Sequence, residues 1–248
     1  MYTCIVGNKE TALIVLTYNR ISSFETMAKM INNQTYKDFD LYVYDSGPHF
    51  KSIQIISNRI IKDISYNLIH TDINEGCWRR HELARDLAKK GYKKILFLDD
   101  DIVVPSNYVE LALNQYEDRS YKSWWAWDLM GGNNYDVDRV RVLDKDTPAN
   151  YCGAGVSIID ASIFLDDEYF NIPIEETKWI DDIWLSFYSN NVLGWKTSYL
   201  DIPGVTFSNS AGDGNALYTK IKERSIISMS KKDYLLFLKD KYDWNPIG

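Results

Sequence analysis

Apolar positions in the first 115 residues follow two alternating periods. Ala12 to Thr17 (ALIVLT) is a continuous apolar run of strand length, as expected for a strand buried on both faces. Phe24, Met27, Met30 and Ile31 then recur at helical spacing behind Ser22 and Glu25, a capping-box pattern. Leu41 to Tyr44 (LYVY), Tyr66 to His70 and Lys94 to Leu98 (KILFL) read as three further strands. A helix is predicted over Cys77 to Lys90, closed by Gly91, and Ser106 is placed to cap a helix through Tyr108, Leu111 and Leu113. This alternation predicts an α/β sandwich with a mostly parallel sheet.

The second half is less regular. Residues 120–150 are rich in Trp, Asn and Asp with little periodicity. Gly155 to Ile159 reads as a strand, and Asp181 to Asn190 as a helix burying Trp184, Phe187 and Tyr188. Ser230 starts a last helix through Tyr234, Leu235, Phe237 and Leu238. No Pro/Gly/Ser linker divides the chain, so residues 1–248 are read as one domain with parts at about 1–115, 116–220 and 221–248.

Charge and cysteine content narrow the function classes. The net charge is −7 and the pI about 5.0, which argues against a nucleic-acid surface, because phosphate neutralisation needs clustered Lys and Arg. A phosphorylated ligand would therefore need a divalent cation. Cys4, Cys77 and Cys152 stand far apart and form no CxxC pair, so a reducing, cytoplasmic setting is the simpler expectation. No signal peptide or membrane-length apolar run is seen. The C-terminal helix, with Lys231, Lys232, Lys239 and Lys241 beside Leu235, Leu236 and Leu238, leaves room for a peripheral membrane contact. The absence of HExxH, GxSxG and GxxxxGK[ST] removes support for a zinc hydrolase, an elbow-type serine hydrolase and a P-loop enzyme.

In open α/β sheets ligands bind beyond the carboxyl ends of the strands. The polar residues there are Thr17 to Arg20, Asp45, Asp72 and Asp99 to Asp101. Three aspartates closing a strand raise one another's pKa, and an oxygen-preferring Mg²⁺ or Mn²⁺ relieves that repulsion. A solvated acidic turn would account for them equally well if they stood alone. Asp181 and Asp182 open a helix, where the dipole favours anions and an acid with one open face can act as general base. Asp45-Ser46-Gly47 offers an acceptor to a nucleobase edge, although an ordinary turn has the same residues. Asn74 and Gly76 fit a turn into a helix, after which Arg79 or Arg80 could reach a diphosphate. Arg80 is read here as a solvated cation.

Together and in this order the pieces resemble the GT-A glycosyltransferases of family 2. The resemblance rests on Thr17-Tyr18-Asn19-Arg20, Asp45-Ser46-Gly47, Asn74-Glu75-Gly76, the DXD-type Asp99-Asp100-Asp101, Asp181-Asp182-Ile183-Trp184-Leu185-Ser186 and Gly194-Trp195, spanning about residues 11–200. It implies a GT-A (Rossmann-like) three-layer sandwich whose first part binds a nucleotide-sugar donor, UDP-sugar first, and whose second part holds a glycan or glycoconjugate acceptor. It further implies that Thr17, Tyr18 and Arg20 line the nucleotide and that Asp45 meets the base. Asn74 and Arg79 belong to the donor side. Asp99 and Asp100 sit at ribose and metal, Asp99 and Asp101 hold Mn²⁺ or Mg²⁺, and Asp101 is the direct ligand. Asp182 matches the general base of an inverting transfer, with Asp181 beside it. Gly153-Ala154-Gly155 lies where relatives carry a loop facing donor sugar and acceptor.

There are departures from the family pattern. Many relatives place a late His on the metal, and this chain has none after His81; either Ser208, Asn209 or Asp213 substitutes, or the cation has fewer protein ligands. Phe187 and Tyr188 stand where an Arg is usual. Residues 203–215 read equally as a lid or a surface loop. Trp124, Trp125 and Trp127 could offer sugar-stacking faces, with core packing favoured for at least two of them. The competing functions are a nucleotidyltransferase or sugar-nucleotide enzyme, a retaining transferase, and an inactive carbohydrate-binding relative.

Overall fold

A computed structural model describes residues 9–130, 135–208 and 227–244. Asn209, Asp213 and most of the loop considered as a lid lie outside the described residues, as does Cys4. The elements in chain order are β1 (Thr11–Thr17), α1 (Ile21–Asn32), β2 (Asp40–Asp45), α2 (Phe50–Ile60), β3 (Ser65–His70), α3 (Arg79–Lys89), β4 (Lys94–Asp99), β5 (Ile102–Val103) and α4 (Tyr108–Asn114). Then follow β6 (Ser120–Ser123), β7 (Ala126–Asp128), β8 (Val140–Arg141), β9 (Tyr151–Cys152), β10 (Val156–Asp160), α5 (Asp181–Phe187), β11 (Lys196–Tyr199), β12 (Thr206–Phe207) and α6 (Lys231–Tyr242).

Seven strands form the central sheet in the order β11-β6-β10-β4-β1-β2-β3. All neighbours are parallel except β10, which runs antiparallel to both β4 and β6. Strand alternation sends successive side chains of β1 to opposite faces. Ala12 and Ile14 join a core with Ala84 and Leu87 of α3, Ile183 and Trp184 of α5, and Tyr234 and Leu238 of α6. Leu13 and Val15 join the other core, with Phe24 and Met27 of α1, Ile53 and Ile56 of α2, and Tyr108 and Val109 of α4. The result is the three-layer sandwich that the strand–helix alternation predicts. Each fully buried Leu or Ile in these layers contributes about 1.5–3 kcal/mol.

Several local expectations need correction. Glu25 does not cap α1: the helix starts at Ile21 with Arg20 as N-cap, and Glu25 instead pairs with Lys29 and Arg59, each at 2.9 Å. Nor does the Ser106 side chain cap α4, whose N-cap is Asn107. The helix expected through Asn190 ends at Phe187 and widens into a π-turn over Tyr188–Val192. Helix α2 escapes sequence reading because its buried stripe is only Ile53, Ile56 and Ser57 among polar residues. Helix α6 does carry its expected cap: Ser230 and Asp233 form a reciprocal capping box. Its apolar residues Leu235 and Leu238 are buried against the domain, so they are not available to a membrane surface. Among the described residues no helix is long and apolar enough to cross a membrane.

The turn into α3 depends on a glycine. Gly76 has φ +83°, its N–H is held by the Asn74 carboxamide at 3.1 Å, and a Cβ there would lie 2.8 Å from the Trp179 ring. Both the backbone angle and the ring therefore oppose any side chain. Gly76→Ala is expected to cost roughly 1–3 kcal/mol of folding stability, read as a lower urea midpoint. An unchanged midpoint would show that this turn yields freely.

Candidate active site

The carboxyl ends of β1, β2, β3 and β4 bring the expected donor-side residues together. The loops behind these strands are stitched by backbone bonds, Ser46 N–H to the Thr17 carbonyl at 3.2 Å and Thr71 N–H to the Asp45 carbonyl at 3.1 Å. Asp45 is buried, and its two oxygens accept from Gly47 N–H at 3.2 Å and face His70 Nδ1 at 2.9 Å. Burial pushes the Asp45 carboxyl up, against the pull of these hydrogen bonds. His70 in turn stacks on Phe50 at 4.3 Å between ring centroids, so a flat aromatic platform adjoins the acid. No local signal singles out His70, because strand β3 ends in it without any motif. Tyr18 is exposed on the turn between β1 and α1.

At the end of β4 the three aspartates diverge. Thr17 Oγ1 donates to Asp100 Oδ2 at 2.8 Å, and Arg20 Nη1 donates to Asp100 Oδ1 at 3.1 Å and to Asp101 Oδ2 at 2.8 Å. Burial pushes Asp100 up to about 7, opposed by Arg20 and Thr17 and reinforced by its two acidic neighbours. Asp101 is raised by burial and then by the charge of Asp99. Asp99 is more open; Arg80 Nη1 donates to its Oδ1 at 3.0 Å. Its Oδ2 lies where a Cβ on Gly155 would clash, so the glycine just before β10 leaves a side-chain-free floor beneath this carboxylate. Beyond the aspartates, β5 pairs with β12, and Ser208 N–H bonds the Asp101 carbonyl at 2.8 Å.

Arg80 is not a solvated cation. It is buried, with its guanidinium on Asp99 at 3.0 Å and on Asp181 at 3.2 Å. Burial alone would weaken its hold on the proton, but the two carboxylates outweigh it and raise the guanidinium pKa further. Arg79, which the sequence placed at the donor, faces the other way and is paired with Glu75 and Glu82 on its own helix. Helical periodicity separates adjacent residues by 100°, so only one of the two arginines can face the sheet ends. The burial of Leu87 and Ala84 on the same face as Arg80 carried that information.

Asp181 and Asp182 occupy the first turn of α5 but have different surroundings. Asp181 is buried and held by Arg80 and by His81 Nε2 at 2.7 Å. Burial would raise its pKa, yet Arg80 and His81 dominate and keep it well below the usual carboxylate range. Burial also lowers the pKa of His81, so the ring is neutral. With Nε2–H donated to Asp181, Nδ1 accepts from the Tyr169 hydroxyl. Asp182 instead meets Lys231 of α6 and the Tyr151 hydroxyl of β9, both on Oδ2. Lys231 also reaches Tyr151 Oη at 3.1 Å and Tyr135 Oη at 3.5 Å. Asp182 Oδ1 is buried and has no hydrogen-bond partner among the described residues. The sequence missed Lys231, since a lysine 49 positions after Asp182 carries no local signal.

The residues at the strand ends suit a divalent cation of the Mg²⁺ or Mn²⁺ type. Among the described residues no three acids or histidines converge as a complete protein cage. Asp99 and Asp101 nevertheless offer hard carboxylate oxygens and feel one another's charge, and Asp99 lies over the side-chain-free Gly155. Mg²⁺ is commonly held by one or two carboxylates, with substrate phosphates and water completing the shell.

The tryptophans expected mainly in the core are only half-buried. Trp125 and Trp127 stack at 6.0 Å, Trp124 meets Trp125 edge-on at 4.6 Å, and Phe207 of β12 lies 5.8 Å from Trp125. Strands β8, β7 and β9 form a small separate sheet, on which Trp127 is registered against Arg141 and Tyr151, with Trp124 and Trp125 just before β7.

Comparisons with known proteins agree with this geometry. A protein described as "Uncharacterized glycosyltransferase" from Haemophilus influenzae is 35% identical over 82 residues, covering 33% of this chain and 32% of its own length. S. aureus TarS shares 16% identity at a TM-score of 0.57, over 95% of this chain and 44% of that protein. A TarS fragment, residues 1–349, solved with UDP gives 15% identity and a TM-score of 0.56, covering 95% of this chain and 72% of the fragment. The mannosyltransferase PcManGT from Pyrobaculum calidifontis, solved with GDP-Man and Mn²⁺, gives 14% identity and a TM-score of 0.59, covering 92% of this chain and 68% of its own. These structures share the GT-A fold. The chain thus spans about a third of its sequence relative and under half of full-length TarS. The sequence profile described as "Glycosyl transferase family 2" matches residues 12–150, more than half of the chain. With the fold and the ordered strand-end residues, that match makes this chain a member of glycosyltransferase family 2.

Proposed function

We propose that this chain transfers a sugar from a nucleotide-sugar donor, a UDP-sugar, to a hydroxyl of a glycan or glycoconjugate acceptor, with inversion and with Asp182 as general base. The observation that carries the reading is the state of Asp182. One oxygen is anchored by Lys231 and Tyr151 and the other is buried without a donor. A buried acceptor left unpaired costs roughly 1–3 kcal/mol, and an incoming hydroxyl relieves that cost while placing its proton on the base. Asp181 has no such free oxygen; its role is to fix the first turn of α5 through Arg80 and His81. The solved relatives with UDP, and with GDP-Man and Mn²⁺, support the donor class by analogy of fold only.

On the donor side, Asp45 with His70 receives the base, and the Thr17 to Arg20 turn lies along the nucleotide. Asp99 and Asp101 would hold Mn²⁺ or Mg²⁺, with Asp100 fixed behind them by Thr17 and Arg20. When bound, the cation offsets negative charge on the leaving diphosphate. Arg20 bridges Asp100 and Asp101 now and is placed to turn toward added phosphate charge. The sheet ends and α5 hold donor and base in fixed relation, which lowers the entropic part of the barrier.

Two substitutions test the assignment. Asp182→Asn should reduce transfer by about 10²–10⁴-fold while nucleotide affinity stays at the wild-type value. Wild-type turnover in that variant would remove Asp182 as base, and a product of retained anomeric configuration would remove the inverting course. Lys231→Met should lower kcat by about tenfold or more, equivalent to 1.4 kcal/mol or more of transition-state stabilisation, with partial recovery in Lys231→Arg. Equal kcat in all three proteins would show that the Lys231 ion pair does not orient the base.

A further inference from the structure

Two arginines beside the site meet no carboxylate among the described residues. Arg20, Arg59, Arg79, Arg80 and Arg85 are each ion-paired with an aspartate or glutamate. Arg119, Arg139 and Arg141 have no acidic partner within ion-pair distance among the described residues, and of these Arg139 and Arg141 lie against Trp127. Their contacts are aromatic instead. The Arg139 guanidinium lies 4.4 Å over Trp127 and 4.6 Å over Tyr135. The Arg141 guanidinium lies 4.4 Å over Trp124, 4.4 Å over Trp125 and 5.1 Å over Trp127, and it donates to the Trp124 carbonyl. Ring faces stabilise a cation without neutralising it. The two guanidiniums also oppose each other: burial and then the charge of Arg139 lower the pKa of Arg141. Two uncompensated cations side by side are conspicuous in a chain of net charge −7.

Their place in the fold gives them a direction. Across the small sheet Trp127 is registered against Arg141 on one side and Tyr151 on the other, so all three share a face. Arg139, just before β8, joins that face through its contact with the Trp127 ring. Tyr151 donates to Asp182, and Tyr135 bonds Tyr151 at 2.8 Å. The cation–aromatic face therefore runs from the base to Trp125, which abuts Phe207 on the strand paired next to Asp101. An acceptor whose hydroxyl reaches Asp182 lies along it.

From this juxtaposition we propose that the acceptor is anionic, and that Arg139 and Arg141 receive a carboxylate or phosphate carried by it. The inference rests on the glycosyltransferase reading and names the acceptor class for that site. Guanidinium forks match the paired oxygens of either oxyanion. The neighbouring tryptophans supply flat faces for the sugar rings to which such groups are attached.

The test is a fluorescence titration, since Trp124, Trp125 and Trp127 touch the arginines. The protein is saturated with UDP and Mg²⁺ to fill the donor site, then titrated separately with inorganic phosphate, glucuronate and neutral glucose. The expected result is a saturable, salt-weakened change with one or both oxyanions and none with glucose; the two anion arms distinguish phosphate from carboxylate. Arg139→Gln should weaken that affinity at least tenfold, and Arg139→Lys should recover part of it. Arg141 is sandwiched between rings and its substitution can unfold the sheet, so Arg139→Gln is the deciding variant, its fold checked by thermal melting. No saturable response to either oxyanion, an equal response to glucose, or an unaltered affinity in Arg139→Gln would each overturn the proposal while UDP still binds. Failure to bind UDP with Mg²⁺, or any other nucleotide, would remove the transferase reading and this inference with it.

Discussion

The site is built around one buried cation, the Arg80 guanidinium. It joins Asp99 at the end of β4 to Asp181 at the start of α5, two positions 82 residues apart in sequence (181 − 99) that the fold brings to either side of one side chain. Taking one partner from such a buried cluster leaves an uncompensated charge, at roughly 3–5 kcal/mol. The network therefore ties the strand-end acids to the start of α5. It also explains why α3, rather than a loop, supplies the cation: Ala84 and Leu87 lock the helix against the sheet, and Arg80 inherits that rigidity. His81, neutral and fully buried, extends the same hold to Tyr169. Asp182, next in the chain, is anchored separately, by Lys231 and Tyr151.

Around that cluster the protein neutralises its own acids in a graded way. Asp181 is saturated by Arg80 and His81, Asp100 by Thr17 and Arg20, and Asp182 by Lys231 on a single oxygen only. The acids left least neutralised are Asp99 and Asp101 at the strand ends and the buried, unbonded Oδ1 of Asp182. This division follows from burial. The deeper a carboxylate lies, the more fixed donors it needs to stay charged, and the less it can do in chemistry. Arg139 and Arg141, which meet no acid among the described residues, are the same principle with the opposite sign.

Strand-length apolar runs and strand-end acids were legible because each is local. Residues 12–17 and 94–98 need no partner to be read as buried strands, and a parallel sheet places Thr17, Asp45 and Asp99 to Asp101 together at once. The contacts that decide roles were not legible, because they join distant segments. Lys231 reaches Asp182 across the molecule, and His70 meets Asp45 only once β2 and β3 pair in register. Arg79 and Arg80 look equivalent as a dipeptide; only the buried face of α3 separates a surface pair from the central cation. The tryptophan segment showed no period because its strands, β7, β8 and β9, are two or three residues long. An aromatic sheet that short is held by ring and guanidinium contacts rather than by alternation.

The central claim is that the strand-end acids form a cation-dependent nucleotide site facing Asp182. Calorimetric titration of UDP, GDP and dTDP, with and without Mn²⁺, tests it on the wild-type protein and on Asp101→Ala. The account predicts that one nucleotide binds with an affinity that rises when Mn²⁺ is present, and that the rise is lost in Asp101→Ala. Binding of no nucleotide in either condition, or an Mn²⁺ effect that survives the substitution, would contradict it.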